Sequence, residues 1–333
     1  MVRKQEQVDP YSLRSGVERT ALSPVFVRIS EAYQKGEPRD LRLRQTFDKA
    51  WNSFRNSAEV DQAYVNQMQM KGHFEESWSE ILFWHYLEKR SLSPIHRGAG
   101  CSDSEIYWRG RRIQFEVVSP KAGERGSEME VVQRRTLNGE DLAAGKVSEL
   151  GKVPRVNRAE LEWELDLIKA RVTQSFVHKA SRFASRMVEG LVLPGEHCVI
   201  VIDVNQVRKV ENFDIGEIGR KAFYGVGREL ILWDFNKETG NQAFVIHNSI
   251  IRPGRGSIPT DYFLGRRDFR HIAAVVMFDG NISDISAGQE PKIYVFHNFH
   301  AQQSLSMKLF AAEEQYYPLG LADQFCIICK KGR

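Results

Sequence analysis

The stretch SEIYWRGRRIQFEVVSPK, residues 104–121, decides the fold. Two β-rich runs, SEIYW at 104–108 and RIQFEVV at 112–118, flank Arg109-Gly110-Arg111, so the segment predicts a β-hairpin. In the second run Ile113, Phe115 and Val117 alternate with Gln114, Glu116 and Val118, which puts Glu116 in mid-strand. A sheet covered on both faces would bury that carboxylate, and a buried carboxylate needs a cation, hydrogen bonds or a metal. Asp103 precedes the hairpin, and folding it about Arg109 to Arg111 brings the two acids to the same end.

Working outward, FEESWSEILFWHYLEKR at 74–90 predicts a helix buried on more than one side, with Phe74, Trp78, Ile81 and Leu82 as one stripe and Phe83, Trp84 and Leu87 as another. Glu80 sits in its middle and is expected to point into an apolar groove; the alternative is a helix edge that reaches water or an arginine. Residues 120–158 hold proline, five glycines and many charges with little periodicity, and read as a long loop. Helical period returns over 159–189, where Leu161, Leu165, Ile168, Val172, Phe176, Ala180, Phe183 and Met187 form one stripe. Gly190 and Pro194-Gly195 stop it, and HCVIVIDV at 197–204 suits a strand covered on both faces.

Helix, hairpin, helix and buried strand predict a three-layer α/β core over 71–205. Residues 1–70 read as a helical N-terminal segment, with Leu43, Phe47, Trp51 and Phe54 at helical steps. Residues 206–333 read as a β-rich C-terminal extension packed on the core: one helix near 215–225, and strand candidates at 230–235, 243–247, 272–278 and 292–296 that extend the same sheet.

The 333 residues are 42% hydrophobic and 27% charged, which excludes a disordered or fibrous chain. The longest apolar runs fall far below the roughly 18–20 residues of a membrane span, so no membrane is expected as partner. The N-terminus lacks a secretory pattern and four cysteines make no disulfide scaffold, which points to a cytoplasmic address. A net charge of +4 permits nucleic-acid binding without demanding it.

With Glu80, Asp103 and Glu116 set on helix, strand start and strand, the chain resembles the PD-(D/E)XK nuclease-like superfamily, whose restriction-endonuclease-like core runs helix, three strands, helix, strand. The phrase IQFEVVSPKAG at 113–123 is similar to a bacterial branch in which an E-x-V-x-P strand replaces the usual E-x-K. RVTQSFVHKASRF at 171–183 and HNFHAQQSL at 297–305 are similar to the same branch. The resemblance implies that Asp103 and Glu116, with Glu80 direct or through water, hold Mg²⁺ or Mn²⁺ for hydrolysis of phosphodiester bonds. It implies nucleic acid, DNA, as partner, and the homodimeric state many members share. The family's catalytic lysine position holds Val118, and Cys101-Ser102 stands where a proline precedes the aspartate.

The lysine can come from elsewhere. Lys121 follows the strand, and Lys179 lies on the 159–189 helix with Arg171 and Ser175 at four-residue steps; the resemblance, in which a lysine can migrate to this helix, implies Lys179 as the fourth catalytic residue. The opposing reading makes Arg171, Lys179, Arg182 and Arg186 a solvated flank. Without a lysine the fold would bind nucleic acid or a protein partner without cleaving; a third reading has the acids neutralised by Arg109, Arg111, Arg112 or Arg171. Arg171, Ser175, Lys121, Arg252 and Arg255 are the candidate nucleic-acid contacts, the last two with Arg266, Arg267 and Arg270 around Tyr262 and Phe263. Cys326 and Cys329 have CxxC spacing but no second ligand pair, and read as a buried apolar segment. His297, Asn298 and His300 read as loop-turn hydrogen bonding. No phosphate-binding loop or nucleophile elbow is present in the sequence.

Overall fold

A computed structural model of the chain describes residues 9–12, 17–57, 60–96, 101–121, 158–207, 214–234, 239–246, 249–252, 256–259, 262–263, 267–321 and 324–331. The hairpin is β1 (Ser104–Trp108) paired antiparallel with β2 (Arg111–Val118), in the register Ser104↔Phe115 to Trp108↔Arg111. Its two connecting residues, Arg109 at φ 52° and Gly110 at φ 76°, are both left-handed, as a type I′ turn requires for its twist to match the strands. On its other side β1 meets Ile95, whose N–H donates to the Glu105 carbonyl while the Glu105 N–H donates back, at 2.8 and 2.9 Å.

Four helices precede the hairpin: α1 (Pro24–Lys35), α2 (Pro38–Ser57), α3 (Gln62–Gln69) and α4 (Phe74–Lys89). After it come α5 (Arg158–Val188), β3 (His197–Asp203) and α6 (Ile215–Tyr224). Two detached hairpins follow, β4 (Val226–Asp234) with β5 (Thr239–Ile246) and β6 (Ser249–Arg252) with β7 (Gly256–Pro259). The chain then adds β8 (Ile272–Phe278), a short α7 (Ile282–Ser286), β9 (Ile293–His297), β10 (Glu314–Leu321) and β11 (Gln324–Lys331).

The protein is thus α/β, built on a seven-stranded mixed sheet in the order β1-β2-β3-β8-β9-β10-β11. β2, β3 and β8 run parallel, which demands long crossovers, and α5 lies in the first of them. The sheet continues past residue 205, because β8 pairs directly with β3. The expectation that the strands at 230–235 and 243–247 join this sheet is corrected: they pair with each other in a sheet of their own. Their alternation was legible, but alternation does not say which neighbour a strand takes.

Helices cover both faces of the large sheet. Ile113, Phe115, Val117, Val199 and Val201 share a core with α1, α2, α3 and α4, while Cys198, Ile200 and Ile202 pack with α5 and α6. Burial on both faces explains the unbroken apolar run of β3. It also explains α4, which lies between the sheet and the earlier helices: Phe83 meets Phe115 at 5.3 Å, while Trp78 meets Phe47 at 5.8 Å and Trp84 meets Phe54 at 5.2 Å. The residues before 70 are therefore part of the main core; Leu43, Phe47, Trp51 and Phe54 are all buried in it. Along α5 the expected stripe holds, with Ile168, Val172, Phe176, Ala180 and Phe183 fully buried. Among the described residues no helix is long and apolar enough to cross a membrane.

Candidate active site at the border of the sheet

The register that pairs Ser104 with Phe115 sets Asp103 beside Glu116. Asp103 is fixed there by the backbone, since the Val117 N–H donates to its Oδ2 at 2.6 Å. Glu116 sits on the β2 face opposite Phe115 and Val117, which sends its side chain toward α5, and it has no exposed surface. Lys179 descends from α5 and donates to both acids, at 2.8 Å to Glu116 Oε2 and 3.2 Å to Asp103 Oδ2. Burial pulls the Lys179 pKa down, yet the charges of Asp103 and Glu116 outweigh it and the ammonium is held above its ordinary value.

Two arginines complete the cluster from the same helix. Arg186 is buried; it donates to Glu116 Oε1 and to the Cys101 carbonyl, tying the segment that enters Asp103 to α5. Arg182 lies 3.2 Å from Glu116 Oε2. Arginines 109, 111 and 112 are engaged elsewhere. Arg112 pairs with Glu105 and Glu196, Arg111 donates to Gln303, and Arg109 lies over the Trp108 ring.

Glu80 comes from the opposite layer, on α4, where it accepts a hydrogen bond from the Tyr64 hydroxyl of α3 at 3.2 Å. Burial raises its pKa and the Asp103 charge raises it further; Lys179 and Tyr64 oppose them, and the carboxyl ends at about 8. Glu80 thus feels the other members of the cluster. Phe83, Trp84 and Leu87 turn into the core, and Glu80 is half-buried with the Tyr64 hydroxyl as its partner. Tyr64 was not singled out in the sequence, because nothing local links α3 to α4 at that point.

A second buried acid also escaped the sequence reading. Asp203, at the end of β3, accepts from the Gly280 and Asn205 N–H groups on Oδ1, at 2.8 and 3.0 Å, and from the Asn205 amide on Oδ2 at 2.9 Å. Ser79 Oγ lies 2.7 Å from Asp203 Oδ2 and also 2.7 Å from the Glu75 carbonyl. A hydroxyl has one proton to give, so satisfying both contacts needs a proton on Asp203. Burial, which outweighs these hydrogen bonds, raises the Asp203 pKa to about 7. The signal was present in the sequence as a lone acid ending an apolar run, HCVIVID.

The remaining candidates do not converge on this cluster in the same way. Lys121 is exposed and pairs with Glu76 at 3.0 Å. Arg171 and Ser175 are partly buried on α5, two turns and one turn before Lys179. Arg252 ends β6 with its side chain outside the described residues, and Arg255 and Arg266 lie outside them altogether. Tyr262 and Phe263 are buried against Phe176, which corrects the expectation of aromatic stacking on a nucleic acid there. Cys326 and Cys329 lie on β11, their side chains likewise outside the described residues. Asn298 donates to the Phe269 and Ile272 carbonyls and accepts from the His300 N–H, the turn bonding expected of it.

The donor set of Asp103, Glu116 and Glu80 is all carboxylate oxygen, the chemistry of a hard divalent cation. Burial first, and the Asp103 charge second, raise the Glu80 pKa. Among the described residues no three such groups are already arranged as a metal centre; the Lys179 ammonium bridges the first two instead. Compared with protein-family models, curated proteins and solved structures, the chain gives no match.

Proposed function

We propose that the protein is a metal-dependent nuclease of the PD-(D/E)XK kind that hydrolyses phosphodiester bonds in DNA. The observation that carries this reading is the Lys179 ammonium on both Asp103 and Glu116, supplied by a helix and not by the strand position that holds Val118. The element order supports it as far as α4, β1, β2, α5 and β3 run helix, two strands, helix, strand; where the family has a further strand this chain has the single bridge of Ile95 to Glu105.

Asp103 and Glu116 would hold Mg²⁺ or Mn²⁺, with Glu80 joining them. The ion when bound supplies Lewis acidity at a phosphate oxygen and acidifies water. The rest of the chemistry belongs to the chain. The Val117 N–H and Arg186 fix the two ligand carboxylates from either side. Lys179 offers a cation aimed at the charge that develops on the phosphoryl oxygens. Glu80, held by the Tyr64 hydroxyl, would bring the third carboxylate to the ion from the α4 layer.

A second reading has its own observation. Glu116 is met by three cations, Lys179, Arg182 and Arg186, which would compete with a metal and suit a nuclease-fold protein that binds nucleic acid without cutting it. Incubating plasmid with purified protein in Mg²⁺, Mn²⁺ or EDTA separates the two. Nicking that needs metal and is lost in Lys179→Ala is the expected result; DNA bound but never cut, in either metal, would overturn the enzyme reading.

A further inference from the structure

The three cations around Glu116 are not equivalent. Lys179 reaches Oε2 and Arg186 reaches Oε1, so each carboxylate oxygen already has a charged partner. Their side chains are 9% and 6% exposed, whereas that of Arg182 is 44% exposed. Arg182 shares Oε2 with Lys179 at 3.2 Å. Arg182 is thus half in water and contacts a buried carboxylate whose two oxygens are already served by Lys179 and Arg186, so giving up this third contact strands neither the guanidinium nor Glu116.

From this asymmetry we infer that Arg182 is the phosphate-binding residue of the site, exchanging its contact with Glu116 for a backbone phosphate of bound DNA. The inference rests on the nucleic-acid reading above and adds the residue that grips the substrate. A guanidinium is suited to it, since its planar fork meets two phosphate oxygens at once and stays charged at every working pH. Position also favours it. Arg182 lies three residues after Lys179 on α5, so the phosphate it holds sits beside the ammonium and the two acids. Releasing Glu116 on that side leaves its Oε2 to Lys179 and its Oε1 to Arg186, so the carboxylate stays held while Arg182 turns to the phosphate.

The test avoids turnover. Binding of two duplexes of unrelated sequence is measured by fluorescence anisotropy in EDTA, between 50 and 200 mM salt. Wild type is compared with Arg182→Ala, Arg182→Lys and a distant charge control, Arg19→Ala. Arg182→Ala is expected to weaken both duplexes alike, roughly three- to tenfold, and to lower the salt slope by about 1, as loss of one phosphate contact does. Arg182→Lys should keep the wild-type slope, and the control should change nothing. Wild-type binding with an unchanged slope in Arg182→Ala would overturn this inference and leave the nuclease reading standing. A slope lost equally in Arg182→Lys would overturn the charge account. Failure of the wild type to bind either duplex would sink the nucleic-acid reading itself.

Discussion

Replacing Glu116 by glutamine keeps the shape of the side chain and removes one fully buried negative charge. Its three partners are then affected unequally. Lys179 keeps Asp103 at 3.2 Å, Arg186 keeps the Cys101 carbonyl, and Arg182 can turn to water. Breaking a buried ion pair costs about 3–5 kcal/mol when a partner is stranded. Because Lys179 keeps a carboxylate, Arg182 can turn to water and only Arg186 is left with no charged partner, the lower end, about 3 kcal/mol, is expected for Glu116→Gln. Urea unfolding followed by tryptophan fluorescence reads this directly, since Trp78 and Trp84 sit in the core beside the sheet. Lys179→Met should cost less in the Glu116→Gln background than in the wild type, with a coupling of about 1–3 kcal/mol. A loss below about 1 kcal/mol for Glu116→Gln, or strict additivity with Lys179→Met, would mean that the cluster does not exist as described.

Two further outcomes follow from the packing. Asp203 titrates at about 7 in the folded protein against 3.8 for the free side chain, so the folded state keeps a proton that the unfolded chain releases. Stability should therefore fall as pH rises from about 4 to 7, by up to about 4 kcal/mol from this group; Asp203→Asn should remove that slope, and equal slopes in the two proteins would refute the assignment. Gly219 on α6 lies so close to β9 that an added Cβ would stand 2.0 Å from Phe296 Cζ. Gly219→Ala should destabilise by about 1–3 kcal/mol or more in thermal melts, and a neutral result would contradict the seating of α6 on the sheet.

How much of this was legible depended on whether the information was local. The hairpin was readable because Gly110 and the alternation of Ile113, Phe115 and Val117 act within a few residues. The long stripe of α5 was readable because eight turns repeat one pattern. Glu116 and Lys179 were linked in advance only through the resemblance, in which a lysine can move to this helix; the residues alone allowed Lys179 to be one more charge on a solvated flank. Arg182 and Arg186 read only as a flank, since a row of charges looks the same whether it faces water or a buried carboxylate. Tyr64 and Ser79 gave no signal, because their partners Glu80 and Asp203 are reached through the crossing of α3 over α4 and of α4 over β3. The detached hairpin of β4 and β5 was misjudged for a similar reason: strand composition does not name a strand's neighbour.

Glu80 belongs to the layer of α4 and Glu116 faces the layer of α5, with the sheet between them. Asp103, one residue before the terminal strand β1 begins, is the member tied to both layers: it meets Lys179 of α5 at 3.2 Å and, after burial, its charge raises the pKa of Glu80 on α4. The opposite margin, β11, lies five strand spacings from β2, or roughly 24 Å at about 4.8 Å each. A reporter or an extra domain grafted at β11 should therefore leave the cluster of Asp103, Glu116 and Lys179 undisturbed, while a single residue inserted between Asp103 and Ser104 would take Asp103 away from the Val117 N–H and Lys179.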